Sequence, residues 1–199
     1  MEQTVPRHPE VLALTEAVSL GDRKAARQLV SRLYDRARAT VFYLAGTHRD
    51  ADDLVQLAMM EVIRSAGSYR GEASVEKWAD RIVVRTAMRH IKQRRRRDHV
   101  VELDSERTFG APAEQGDVVA RRQLRQRITA LLDRLPLRQK VVVTLHWMSG
   151  YRVAEIAEMV DAPVNTVRDR LQTAKRRLKK MALGDPMLRQ WAERMHDEI

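Results

Sequence analysis

The sequence has no cysteine, which excludes disulfides, thiolate zinc sites and cysteine nucleophiles together and fits a reducing compartment. No apolar run approaches the roughly 18 residues needed to cross a bilayer. The opening stretch Met1 to Leu20 also lacks the basic-then-apolar plan of a secretory signal, so the expected location is the cytoplasm. Aromatic residues make up 5% of the chain, and only 8 glycines and 6 prolines punctuate its 199 residues. Long stretches of Leu, Val, Ala, Arg and Glu favour helix over strand, and an all-α fold is expected. The histidines, at 8, 48, 90, 99, 146 and 196, are scattered, and no nucleophile stands at a convincing spacing from a base. An enzyme is therefore not expected, and no cofactor is called for.

Charge is what the chain has in excess. Lys and Arg number 37 against 27 Asp and Glu, a formal net charge of +10, and such a chain is attracted to polyanions or anionic surfaces. The excess is unevenly placed. No acid interrupts Arg81 to Arg97, whereas Asp98 to Asp117 carries Asp98, Glu102, Asp104, Glu106, Glu114 and Asp117 against the single basic Arg107. Gly110, Pro112 and Gly116 break any helix in that acidic stretch, which reads as an extended linker joining two small helical domains.

Residues 1–20 form a lead-in, helical from about Pro9. Between Asp22 and Gly46, Ala26, Leu29, Val30, Leu33, Ala37, Val41 and Leu44 make the apolar stripe of a long helix. Asp50 is placed to cap a second helix in which Leu54, Ala58, Glu61 and Val62 succeed one another at helical spacing. The carboxylates Asp50, Asp52 and Asp53 complement that helix's dipole, and no His or Glu follows at ligand spacing, so a metal site is not expected. A loop with Gly67 and Gly71 leads to a third helix from about Ser74 to Arg97. Val75, Ala79, Ile82 and Thr86 give it a buried side, with Trp78 at its edge. Arg81, Arg85, Arg89, Lys92 and Arg96 fall within an arc of about 80° if each residue turns about 100°. This basic stripe is either a solubilising helix end or a surface for an external anion, and a second basic helix elsewhere favours nucleic acid.

Beyond the linker, Leu124, Ile128, Leu131 and Leu135 define a helix ending at Pro136. Another is expected from Leu137 to Met148, with Val141, Val142 and Leu145 inward, before Ser149 and Gly150 turn the chain. Two helical patterns then meet across a short turn between Tyr151 and Lys180. The first, Val153 to Val160, has Ile156 and Val160 inside and Ala157 at a crossing point. After Asp161 and Ala162, Pro163 opens a helix whose Val164, Val167, Leu171, Ala174 and Leu178 share one face. Asn165, Arg168, Asp169, Gln172 and Arg176 share another. Such a helix is held by a core while offering base-reading side chains to a major groove; the alternative is an ordinary helical hairpin with solvated charges. A last amphipathic segment, 184–199, presents Leu188, Trp191, Ala192, Met195 and Ile199, either as a cap on the second domain or as a docking site.

From about Gly21 to Leu183 the chain resembles the group IV, or extracytoplasmic-function (ECF), sigma factors of bacterial RNA polymerase, members of the sigma-70 family. DADDLVQ, from Asp50 to Gln56, resembles the region 2.2 segment that docks on the polymerase clamp. YRGEASVEKWADRI, from Tyr69 to Ile82, with the basic helix behind it, is similar to the region that melts and reads the minus-10 element. Leu132 to Leu178 resembles region 4, which binds the minus-35 element.

The resemblance implies a region 2-like domain at 21–97, an acidic linker at 98–117 running through the polymerase channel, and a region 4-like helix-turn-helix domain at 118–183. It implies core RNA polymerase and promoter DNA as partners, with an anti-sigma factor as a further candidate. The implied polymerase contacts are Asp50, Asp53 and Gln56. Toward the minus-10 element stand Tyr69, Arg70, Trp78, Arg81, Arg85 and Arg89, Tyr69 and Trp78 being the aromatics near an unstacked base, with a place in the core as the favoured alternative for Trp78. Toward the minus-35 element stand Asn165, Thr166, Arg168, Asp169, Gln172, Lys175, Arg176 and Lys179. Of these, Arg168, Gln172 and Arg176 approach base edges, and Lys175 and Lys179, with Arg177, approach phosphates.

Four departures stand out: Leu57 replaces an acid, Thr86 an asparagine, Asp161 a turn glycine and Asp169 a small polar residue. Asp tolerates left-handed backbone, so the turn is expected to survive. The rival readings are a sigma-like decoy for an anti-sigma factor and a plain helix-turn-helix regulator.

Overall fold

The computed structural model describes residues 9–45, 51–98, 117–185 and 188–189. Among them all regular structure is helical, and the described residues fall into two compact units, 9–45 with 51–98 and 117–185 with 188–189. Asp50, the acidic stretch 99–116 and the C-terminal Trp191, Ala192, Met195 and Ile199 lie outside the described residues.

The first unit comprises α1 (Pro9–Ser19), α2 (Arg23–Ala45), α3 (Ala51–Arg64), a single 3-10 turn (Ala66–Ser68) and α4 (Val75–Asp98). Asp22 starts α2 sharply, because its Oδ1 accepts from the backbone N–H groups of Lys24 (2.7 Å) and Ala25 (3.1 Å), donors that a helix start leaves without partners. The buried line of α2 runs through Ala25, Leu29, Leu33, Ala37, Val41 and Leu44. Ala26 and Val30, expected in that stripe, instead line a shallow surface groove with Tyr34 and Ile63.

Helix α4 packs against both α2 and α3, so its buried arc is wider than one stripe. Val75, Ala79, Asp80, Val83, Val84, Thr86 and Ala87 are buried, while Ile82, expected inside, is only half-buried. Two ion pairs fasten α4 to α2 one helical turn apart. Arg32 meets Glu76 at 2.8 Å, and Arg36 meets the buried Asp80 at 2.7 Å.

The second unit comprises α5 (Asp117–Asp133), α6 (Leu137–Val143), a π-helical turn (Thr144–Met148), α7 (Val153–Val160) and α8 (Val164–Ala182). The helix expected from Leu137 to Met148 has those bounds, and its last five residues are π-helical. After Val143 the bonding widens, and Ser149 N–H donates to Thr144 O at 3.2 Å. Val141, Val142, Val143, Thr144 and Leu145 are buried in succession, more than one full turn, so this segment is covered on every side. The fully buried Thr144 hydroxyl has no hydrogen-bond partner among the described residues.

Among the described residues of α5 and the turn after it, Thr129, Leu131, Leu132 and Leu135 are buried. Leu124, expected inside, is exposed, and Ile128 is half-buried. Lys140 is buried yet paired, its Nζ lying 2.5 Å from Asp133 Oδ1. Past α8, Asp185 pairs with Arg127 of α5, and Leu188 is fully buried, so the extension begins with an anchored residue.

Candidate nucleic-acid interface

Helices α7 and α8 form a helix-turn-helix built from local chemistry. Gly150, at φ +73°, turns the chain out of the π-helical segment, where a side chain would be strained. Tyr151 is then buried; its N–H donates to Leu145 O at 3.0 Å, and its carbonyl oxygen lies 2.8 Å from His146 Nδ1. Glu155 Oε2 accepts the Arg152 N–H at 2.9 Å at the entry to α7. The helix stops at Asp161, whose φ of 50° and ψ of 61° place it in the left-handed region, while Ala162 N–H returns to Ala157 O at 3.0 Å. The turn survives without glycine, as the short polar side chain allows. Pro163 stands just before α8 with φ −57°, a helix-compatible angle whose missing N–H costs nothing there.

Helix α8 buries Val167, Leu171, Ala174, Leu178 and Ala182, each leucine contributing about 2 kcal/mol by burial alone. Val164, expected on that face, is 40% exposed because it precedes the covered turns. With about 100° per residue, the direction opposite the buried stripe is occupied by Asn165, Asp169, Gln172 and Arg176, and all four are exposed. Arg168, Lys175 and Lys179 flank that face on one side. Arg168 is exposed and donates from Nη1 to Asn165 Oδ1 at 2.8 Å, while Lys175 and Lys179 are half-buried, as is Thr166.

The other flank, toward α6, carries Arg170 and Arg177. Arg177 Nη1 donates to Gln139 Oε1 at 3.1 Å. Burial, and then the Arg138 guanidinium, push Arg170 below the ordinary arginine value. Two like charges held together in this way favour an anion between or beside them. Arg138 and Arg170 were not singled out by periodicity.

The first unit presents a different surface. On α4, Trp78, Arg81, Arg85, Arg89, Lys92 and Arg96 lie opposite the buried arc, Trp78 being on the same side as the cations one turn nearer the N-terminus. Trp78 is half-buried rather than core, and Arg85, Arg89, Lys92 and Arg96 are exposed, while Arg81 is half-buried. Arg89 Nη2 reaches Thr86 Oγ1 at 3.4 Å. Tyr69 is buried, its ring centroid lies 5.4 Å from that of Trp78, and its hydroxyl donates to Ala73 O at 2.8 Å. A ring held on both sides anchors the loop before α4 and is not free to stack on a base in this conformation. Burial first, then the Glu76 carboxylate, raise the Tyr69 hydroxyl above its ordinary pKa. Arg70 next to it is exposed.

On α3, Asp53 and Gln56 are exposed on the face turned away from the core. Leu57 and Met60 share that face and are 43% and 47% exposed. The expected set omits these two, although an apolar residue opposite a buried stripe is a legible signal for a covered surface.

Two helical units, one ending in a helix-turn-helix and the other carrying a cationic helix, have the architecture of a nucleic-acid-binding protein. The Sigma-70 region 2 family matches residues 29–97, and the Sigma-70, region 4 family matches residues 125–178. The chain is 32% identical over 171 residues to the ECF RNA polymerase sigma-E factor of Haemophilus influenzae, spanning 82% of this chain and 90% of that one. It is 32% identical over 165 residues to the ECF sigma factor SigM of Mycobacterium tuberculosis, spanning 81% and 79%. In fold it is similar to the sigma factor RpoE in complex with the anti-sigma factor NepR from Bartonella quintana. That match has a TM-score of 0.64 at 21% identity and covers 80% of this chain and 97% of that one. The chain belongs to the ECF, group IV, sigma factors of the sigma-70 family, and directs transcription initiation as an alternative sigma factor.

Proposed function

We propose that the two units grip promoter DNA in two chemically different ways while core RNA polymerase holds them in register. The observation that carries this reading is that each unit turns a cationic helix face directly away from its own core, α4 in the first and α8 in the second. In the second unit, Arg168, Gln172 and Arg176 reach base edges of the minus-35 duplex, with Asn165 and Thr166 at the entering end of α8. Lys175 and Lys179 on one flank, and Arg138, Arg170 and Arg177 on the other, hold the phosphates on either side. In the first unit, Trp78 offers the accessible ring beside an unstacked minus-10 base, and Arg70, Arg81, Arg85 and Arg89 hold the single strand. Neither grip needs high affinity alone, because linkage makes the second contact intramolecular.

The polymerase-docking surface is the outer face of α3. Asp53 and Gln56 supply its polar contacts, and Leu57 and Met60 supply apolar area where an acid is replaced. The domains take the limits 21–97 and 118–183 with the acidic linker between, and the protein acts by binding rather than catalysis, in the cytoplasm with the polymerase. An anti-sigma factor is proposed as a further partner, since the RpoE structure and that of CnrH with the cytosolic domain of CnrY are both complexes.

The test is reconstituted transcription. With core polymerase, the full chain is expected to start transcripts at a discrete position on a subset of genomic fragments. No discrete start on any fragment, with polymerase binding intact, would overturn the reading.

A further inference from the structure

Helix α8 carries seven Lys and Arg between Val164 and Ala182, and one acid, Asp169. A lone acid in a cationic helix is ordinarily neutralised by a base three or four residues away. Here the residues at those spacings are Asn165, Thr166, Gln172 and Thr173, all uncharged. The guanidinium adjacent in sequence, Arg168, is turned to Asn165 Oδ1 at 2.8 Å. Asp169 itself is exposed and makes no hydrogen bond or ion pair among the described residues.

Its place on the helix makes this informative. Around the axis, at about 100° per residue, Asp169 stands almost opposite the centre of the buried stripe. It is therefore among the residues projecting furthest from the unit, with Asn165, Gln172 and Arg176 to one side around the axis and Thr173 and Lys180 to the other. An acid at the rim of a DNA-facing surface is a minor repulsion. At the centre, it meets a field of phosphates with no cation of its own to offset it, unless the groove supplies a donor.

A carboxylate is acceptor-only. The major groove offers two exocyclic amines, cytosine N4 and adenine N6. Beside adenine N6 lies N7, an acceptor that repels a carboxylate oxygen; beside cytosine N4 lies a C–H edge that does not. The neighbours Asn165 and Gln172 have the donor and acceptor pair that suits adenine, and Arg176 the fork that suits guanine, so Asp169 adds a base they do not read. We propose that Asp169 is a specificity-determining residue that accepts a hydrogen bond from the N4 amine of one cytosine in the promoter duplex. This rests on the reading of α8 as the helix that enters the major groove.

The experiment selects binding sites from a duplex pool randomised across the minus-35 position, using the full chain with core polymerase. Wild type, Asp169→Asn and Asp169→Ala are compared. The wild type is expected to favour cytosine at one position by roughly tenfold, the scale of a charge-assisted base contact. Asp169→Asn should move that position to adenine, and Asp169→Ala should level it, with the other positions unchanged. A wild-type consensus without such a cytosine, or a cytosine kept by both variants, overturns the role of Asp169 alone. A pool from which the wild type draws no consensus overturns the reading of α8 as well.

Discussion

Helices α4 and α8 are both cationic, yet they are built to different plans. Helix α4 keeps Glu76 and Asp80 on the buried side, where they clasp Arg32 and Arg36 of α2, and turns Trp78, Arg81, Arg85, Arg89, Lys92 and Arg96 outward. Helix α8 needs no such clasp, because a full apolar stripe holds it, and its outer face mixes Asn, Asp, Gln and Arg. A surface of cations and one ring grips a backbone and stacks on a base without discriminating among sequences. A surface of amide, carboxylate and guanidinium discriminates base edges. The difference lies in which side chains the fold spends on holding the helix and which it leaves facing outward.

The largest effect expected is on the apolar anchoring of α8. Leu171 is fully buried, so Leu171→Ala should destabilise the second unit by about 3 kcal/mol, from lost transfer energy and the cavity left behind. Hydrogen exchange of α6, α7 and α8 amides should accelerate accordingly. For α4 the counterpart is ionic. Asp80 is 3% exposed in its side chain while Arg36 is 40% exposed, so part of the pair's energy is screened. Asp80→Ala should cost about 2 kcal/mol, less than the loss of a fully buried pair, and accelerate exchange in α4. An effect on α4 as large as that of Leu171→Ala on α8 would break the distinction.

Much of this arrangement is legible in the sequence because it depends on periodicity. The buried stripe of α8, the unbroken basic face of α4 and the left-handed Asp161 all follow from residue spacing and local conformational preference. Other features depend on neighbours that spacing does not name. Ile82 yields to Val83 and Val84 because α4 is covered on two sides, and the π turn at Thr144 arises from packing rather than from propensity. Tyr69 sits in a loop sequence suited to base stacking, yet it is held by Ala73 O and the Trp78 ring, contacts made by folding of the loop itself. Arg138 and Arg170 belong to different helices, and the repulsion that Arg170 feels from Arg138 depends on the packing of α6 against α8.

The comparison sharpens in salt. If Lys175 meets one phosphate of the duplex, Lys175→Ala should reduce the slope of log affinity against log salt by about 0.9, with no change in which sequence is preferred. Arg85→Ala should leave duplex binding nearly unchanged and weaken binding to a single-stranded minus-10 oligonucleotide in the presence of core polymerase. Filter binding across a salt series with both probes checks the pair. Equal loss on both probes for both variants would mean that the two helices do not divide the work.

The smallest effect expected concerns the clasp of α4 in acid. Burial works to raise the Glu76 carboxyl, but its hydrogen bonds and the Arg32 guanidinium outweigh that and hold it below the ordinary value of 4.5. A depressed folded-state pKa means that the folded unit binds the proton less readily than the unfolded chain, so Glu76 contributes stability above 4.5 and loses it as pH falls through the lower folded value. Both partners are partly solvated, at 45% and 31% exposure, so solvent screening keeps the contribution below about 1 kcal/mol. Glu76→Gln should therefore lower the first unit's stability slightly at neutral pH and converge with the wild type in acid, below the lowered Glu76 value, as followed by urea denaturation at several pH values. A constant gap between the two proteins across that range would show that Glu76 acts through packing rather than charge.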